Sequence, residues 1–127
     1  MIMLAALQTF LVLGASAESA APLLDKTLVV WASPATLDQR SGSGLTLDNG
    51  DGSFGGRVFG ELAPQRWMAG SEAFNRSQRE QGEWPQETAG PDEFVQVAIV
   101  YRGNEIEMYR NGQPYAKYTM GTEPKAI

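Results

Sequence analysis

From Phe94 to Met120, apolar and polar positions alternate with breaks only at two Gly/Asn pairs, a pattern that predicts three short antiparallel strands. Val95, Val97, Ile99 and Tyr101 recur at every second position, so one apolar row faces a core. Ala98 and Val100 leave the opposite row only partly polar, and the strand is expected to be covered on both faces, as in the middle of a sandwich. Gly103-Asn104 supplies two residues that tolerate positive φ. After it, Ile106 and Met108 alternate with Glu105 and Glu107 along a second strand, Glu105 to Arg110. Asn111-Gly112 is the stronger turn signal, because a type I′ turn needs positive φ at both central residues. The third strand runs from Tyr115 to Met120.

The upstream pattern predicts further strands around this ribbon. Leu24 to Ser33 is the first, with Leu28-Val29-Val30-Trp31 too continuously apolar for an exposed edge, and Pro34 ends it. Trp31 reads either as a core tryptophan or as a ring on which a sugar stacks; its apolar neighbours favour the core. Leu45-Thr46-Leu47 begins a second strand, and Arg57 to Leu62 forms a third, with Val58 and Phe59 on opposite faces and Pro64 closing it. Trp67-Met68-Ala69 is a short strand or bend. Residues 70–93 show no sustained helical period and are expected to form a long loop, of the kind often given to function.

Residues 1–17 stand apart. An apolar run from Ile2 to Leu13, interrupted only by Gln8 and Thr9, leads to Ala15-Ser16-Ala17, which fits a secretory signal peptide cleaved after Ala17 despite an amino-terminal region without Lys or Arg. A buried strand or helix is the alternative. The expected organisation is a signal peptide over 1–17, a linker over 18–23 and one domain over 24–127, placing the product in the secreted or periplasmic fraction. With 43% hydrophobic and 20% charged residues the composition is that of a globular domain. The formal charge of −5 falls entirely after residue 17, which argues against nucleic acid or an anionic membrane as a partner. Cysteine is absent, so an exported domain is held by its core alone.

The absence of both His and Cys excludes His-based triads, Cys nucleophiles and the usual zinc sites. Carboxylates remain. Glu105 and Glu107 stand two apart on one strand and point to the same face, which invites a paired-acid glycosidase reading; a solvated face is the simpler one. Asp48-Asn49-Gly50-Asp51-Gly52 offers oxygen ligands for calcium through Asp48 and Asp51, but tight-turn chemistry accounts for the same residues. On or beside the long loop, Trp67 and Trp84 supply rings while Arg66, Asn75, Arg76 and Gln81 supply planar hydrogen-bonding groups, the combination that recognises carbohydrate. Both tryptophans also read as packing residues and the charged groups as a solvated rim.

The order VAIVYRGNEIEMYRNGQPYA resembles the central hairpin of laminin-G-like modules with the concanavalin A-like lectin and glucanase sandwich. The stretches TLVVWAS, Phe54 to Leu62, Trp67 to Ser71 and Val97 to Ala116 resemble, more narrowly, a module near the front of secreted bacterial glycoside hydrolases, including fructan-cleaving ones. The resemblance implies an all-β antiparallel sandwich of jelly-roll type, a non-catalytic role in binding or positioning carbohydrate, and a loop calcium of the kind related modules carry. Trp31 and Pro34 stand at the Trp and Pro places of its first strand. Glucanase members carry three acids on one strand; here Arg110 stands in the last acidic place, which puts catalysis by Glu105 and Glu107 in doubt. Such sandwiches need more strands than this chain supplies, so the domain is expected to be the front piece of a longer protein with a catalytic region beyond Ile127. A structural spacer or protein-contact domain is the alternative.

Overall fold

In the computed structural model, residue 21 and residues 23–120 are described. The expected signal peptide, most of the linker and the tail after Met120 lie outside the described residues. The described residues form seven strands: β1 (Lys26–Ala32), β2 (Ser43–Asp48), β3 (Phe54–Phe59), β4 (Trp67–Ser71), β5 (Val95–Arg102), β6 (Glu105–Arg110) and β7 (Gln113–Thr119). One sheet has the order β1-β5-β6-β7 and the other β2-β3-β4, with every pairing antiparallel. The chain is an all-β antiparallel sandwich. The helical content of the described residues is one 3-10 turn, Glu72–Phe74.

The core joins the two layers. Leu28, Val95, Val97, Ile99, Tyr101, Ile106, Met108 and Tyr115 come from the four-stranded sheet, and Phe59, Trp67 and Ala69 from the three-stranded one. Each large apolar side chain buried there contributes roughly 1.5–3 kcal/mol. The ribbon forms as its alternation requires, β5 reading buried and half-buried in turn along its length. Gly103 alone takes positive φ in the first turn, as in a II′ hairpin, whereas Asn111 and Gly112 both do so in the second, as a I′ turn demands. A register shift between Met108 and Tyr109 in the β6–β7 pairing accompanies the turning of Tyr115 into the core.

Three expectations are corrected. The first strand is an edge strand, and β5 is not covered on both sides: on the outer face of the sheet Val29 is 41% exposed and Trp31 61% exposed, so Trp31 is not a core tryptophan. The third strand begins earlier than expected, at Phe54. Gly55 and Gly56, poor strand formers on their own, are held extended between Ser71 and Gly70 of β4 and Leu47 and Thr46 of β2. It ends at Phe59, followed by Gly60, whose φ of +71 reverses the chain and whose added Cβ would stand 2.2 Å from the Gln39 carbonyl oxygen. Finally, residues 70–93 are embedded rather than loose. Ser71 completes β4, and Arg76, Ser77, Gln81, Glu87 and Ala89 are buried.

Candidate functional site

The embedding of 70–93 decides where its expected site residues sit. Trp67 is 1% exposed. Its indole N–H donates to Glu87 Oε2 at 2.6 Å, its amide donates to the Tyr115 hydroxyl at 3.1 Å, and its ring lies 4.4 Å from that of Phe59. Arg66 uses all three nitrogens on the chain itself, donating to the carbonyls of Trp84, Pro64 and Gly82 at 3.0–3.1 Å. Trp84 is half-buried, stacked on Tyr118 at 5.8 Å and edge-on to Tyr115 at 6.0 Å. Arg76 donates to the Phe54 carbonyl and pairs with Glu72 at 3.5 Å, and Gln81 Nε2 donates to the Gln78 carbonyl at 2.8 Å. Among the six, Asn75 is the exposed one. These side chains fasten the segment to the sheets, and the structure does not gather them on one open surface.

The residue that completes this fastening was not singled out in the sequence. Glu87 is 1% exposed and takes Arg110 as a fork, Nε to Oε2 at 2.9 Å and Nη2 to Oε1 at 2.6 Å, while the Thr88 and Ala89 amides also donate to Oε1. Burial pushes the Glu87 carboxyl up, but Arg110, the Ala89 amide, the Trp67 indole and the Thr88 amide outweigh it and hold the group at about 2. No local pattern marks a Glu in an irregular segment as buried. The available signal was the odd Arg at the end of β6, which needs a partner once Ile106 and Met108 set that face inward.

The aspartates of the expected calcium loop are used by the loop. Asp48 Oδ1 accepts from the Gly50 amide, Asn49 Oδ1 from the Asp51 amide, and Asp51 Oδ1 from the Ser53 amide, three successive Asx turns. Among the described residues no group of three or more acids is gathered as for a metal.

Glu105 and Glu107 share a face, as the strand period requires. Lys117 Nζ bridges them, at 2.9 Å from Glu105 and 2.7 Å from Glu107, and the Tyr109 hydroxyl donates to Glu107 at 2.6 Å. Lys117 and Tyr109 hold the Glu107 carboxyl down at about 2. A general acid needs a raised value, so Glu107 is set for ion pairing and not for protonating a leaving group.

The same outer face carries exposed apolar surface, at Val29 and Trp31. Strand register sets Trp31 opposite Gln96, Val29 opposite Ala98, and Ala98 in turn opposite Tyr109. Directly opposed side chains stand with Cβ atoms about 4.5–5.5 Å apart. Phe94, 69% exposed, precedes Gln96 by two residues, just ahead of β5. One end of the face is therefore aromatic with an amide beside it, and the other is the Glu105, Glu107 and Lys117 cluster. The Asn111 side chain accepts from the Gln96 amide at 2.8 Å and the Asn111 amide donates back to the Gln96 carbonyl at 2.8 Å, which fixes the backbone under the aromatic end. The sequence offered Trp31 as a stacking ring; what it did not show was that its strand lies at the sheet edge.

Comparison with protein-family models, with characterised proteins and with solved structures returns no match.

Proposed function

We propose that the chain is a non-catalytic carbohydrate-binding module of an exported glycoside hydrolase, of the laminin-G-like type its hairpin resembles, and that the outer face around Trp31 is its platform. The observation that carries this reading is the exposure of the Trp31 indole on a sheet face. A flat ring stacks on the C–H side of a pyranose or furanose, and Gln96, directly across, offers an amide to the hydroxyls. A rigid sheet costs little conformational entropy on binding, which suits a platform. The enzymatic step belongs to another region of the parent protein, since the carboxylates of Glu105 and Glu107 on this face are bridged by Lys117.

A second reading rests on Val29 and Phe94, which flank the indole with further exposed apolar surface. On that reading the face packs against a neighbouring domain as a spacer. Binding to a panel of polysaccharides, fructans included, separates the two. A platform binds at least one of them, and Trp31→Ala weakens that binding about tenfold or more, the loss of roughly one stacked ring. Binding unchanged in Trp31→Ala removes the platform, and no binding to any polysaccharide leaves the spacer.

A further inference from the structure

Arg57 presents a different problem from the outer face. It lies on β3, is 4% exposed, and its Nε and Nη1 have no hydrogen-bond partner. Its guanidinium sits over the Trp67 ring at 4.4 Å. Burial lowers its pKa to about 10, which still leaves it charged at neutral pH. A buried, charged donor without an acceptor is among the most costly arrangements in a folded chain, and cation–π contact with one ring offsets only part of that.

The space beside it is a cleft of about 240 Å³ at one end of the sandwich, between the layers. Ala32 ends β1 and Pro34 follows it, while Gly44 on β2, Phe59 on β3 and Trp67 on β4 belong to the other sheet. At about 30 Å³ per molecule of liquid water, that volume equals roughly eight waters, room enough for a small organic acid. No lining residue is acidic, and Arg57 is the one cation among them. Gly44 is the bulged residue where the β2–β3 register shifts. A Cβ there would stand 1.8 Å from Arg57 Nη2, so the guanidinium occupies its place because this residue has no side chain.

We propose that this cleft is a binding site for a small monoanionic carboxylate. One planar guanidinium matches one planar carboxylate in charge and shape, whereas a doubly charged tetrahedral anion would meet only half its charge. The Phe59, Trp67, Ala32 and Pro34 walls suit the organic part of the ligand. The carboxylate of a sugar acid and that of a simple short-chain acid carry the same recognition chemistry. The site does not depend on the role of the Trp31 face.

The test titrates the full chain with sodium propionate, sodium glucuronate and sodium sulfate at constant ionic strength, following the Arg57 Nε–H resonance and the melting temperature. At saturation the carboxylate is expected to raise the melting temperature by roughly 5 °C and to shift the Arg57 resonance saturably. Arg57→Met stays folded, because an apolar stem replacing an uncompensated buried charge is neutral or stabilising, and loses the melting response. Arg57→Lys, a point charge without the planar fork, binds at least about tenfold more weakly. A response to glucuronate alone assigns a sugar acid, and a response to propionate as well assigns short carboxylates generally; either upholds the site. An equal response in Arg57→Met, a sulfate response matching the carboxylates, or no saturable shift of Arg57 with either carboxylate overturns it.

Discussion

Trp67 and Trp31 each stand on a strand of this sandwich, yet one is sealed between the layers and the other lies open on the outside. Trp67 has a partner for its indole N–H, and through Glu87 and Arg110 it joins β4, the 70–93 segment and β6 in one polar network. Trp31 has Gln96 across from it and exposed apolar neighbours to either side. The carboxylates follow the same division. Glu87 is held ionised inside the protein by Arg110 and backbone amides, and Glu107 outside it by Lys117 and Tyr109. Two groups with similarly depressed values therefore do different work. The buried one is structural because removing it strands a charge, and the surface one is replaceable by water.

Breaking the inner network should have the largest effect. Glu87→Ala leaves Arg110 without its acceptor and the Trp67 indole without its own, and the variant is expected to lose about 3–5 kcal/mol in chemical denaturation. Trp84→Ala removes a half-buried ring from Tyr115 and Tyr118, for an expected loss of about 2–3 kcal/mol, with polysaccharide binding retained wherever the protein is folded.

Acid sharpens the comparison further. The Glu87 carboxyl lies at about 2 in the folded protein against an ordinary 4.5, so its contribution is fully present above 4.5 and is lost as pH falls from 4.5 towards 2. The wild type should lose stability across that window, and Glu87→Ala should show a flatter acid limb. Glu107 titrates in the same window, so the acid limb of Glu107→Gln serves as the surface control. Trp31→Ala is expected to change stability by no more than about 0.5 kcal/mol while weakening any polysaccharide complex. Smallest of all, Lys117→Ala should leave the denaturation midpoint unchanged within error, because exposed pairs add little.

What was legible in the sequence was local. Asn111-Gly112 and the alternation around Ile106 and Met108 specify a hairpin with little help from the rest of the chain, and β6 spans the residues expected of it. The β3 boundaries were displaced because Gly55 and Gly56 are extended only through their neighbours in the sheet. The edge position of β1 was hidden, since Leu28 to Trp31 is apolar on both faces and such a run looks the same covered or bare. The 70–93 segment misled for the opposite reason. Its Ser77 and Gln81 are satisfied by nearby carbonyls, of Ala69 and Gln78, while Glu87 is buried against Trp67 and Arg110, twenty or more residues away in the chain. Of the expected ring-and-amide combination, Trp67 and Gln81 are enclosed, and the exposed indole is Trp31.

Asn111 carries one more consequence. It occupies the tip of a tight hairpin, ordinarily the safest place to lengthen a β protein with a tag or an epitope. Here its backbone and side chain both bond to Gln96, prolonging the β5 ladder past the point where β6 has stopped. A graft at that tip would unzip the neighbouring strand, and the opposite turn offers no free alternative, since the Gly103 amide donates to Asp25 Oδ1 and the Asn104 carbonyl accepts from the Met120 amide.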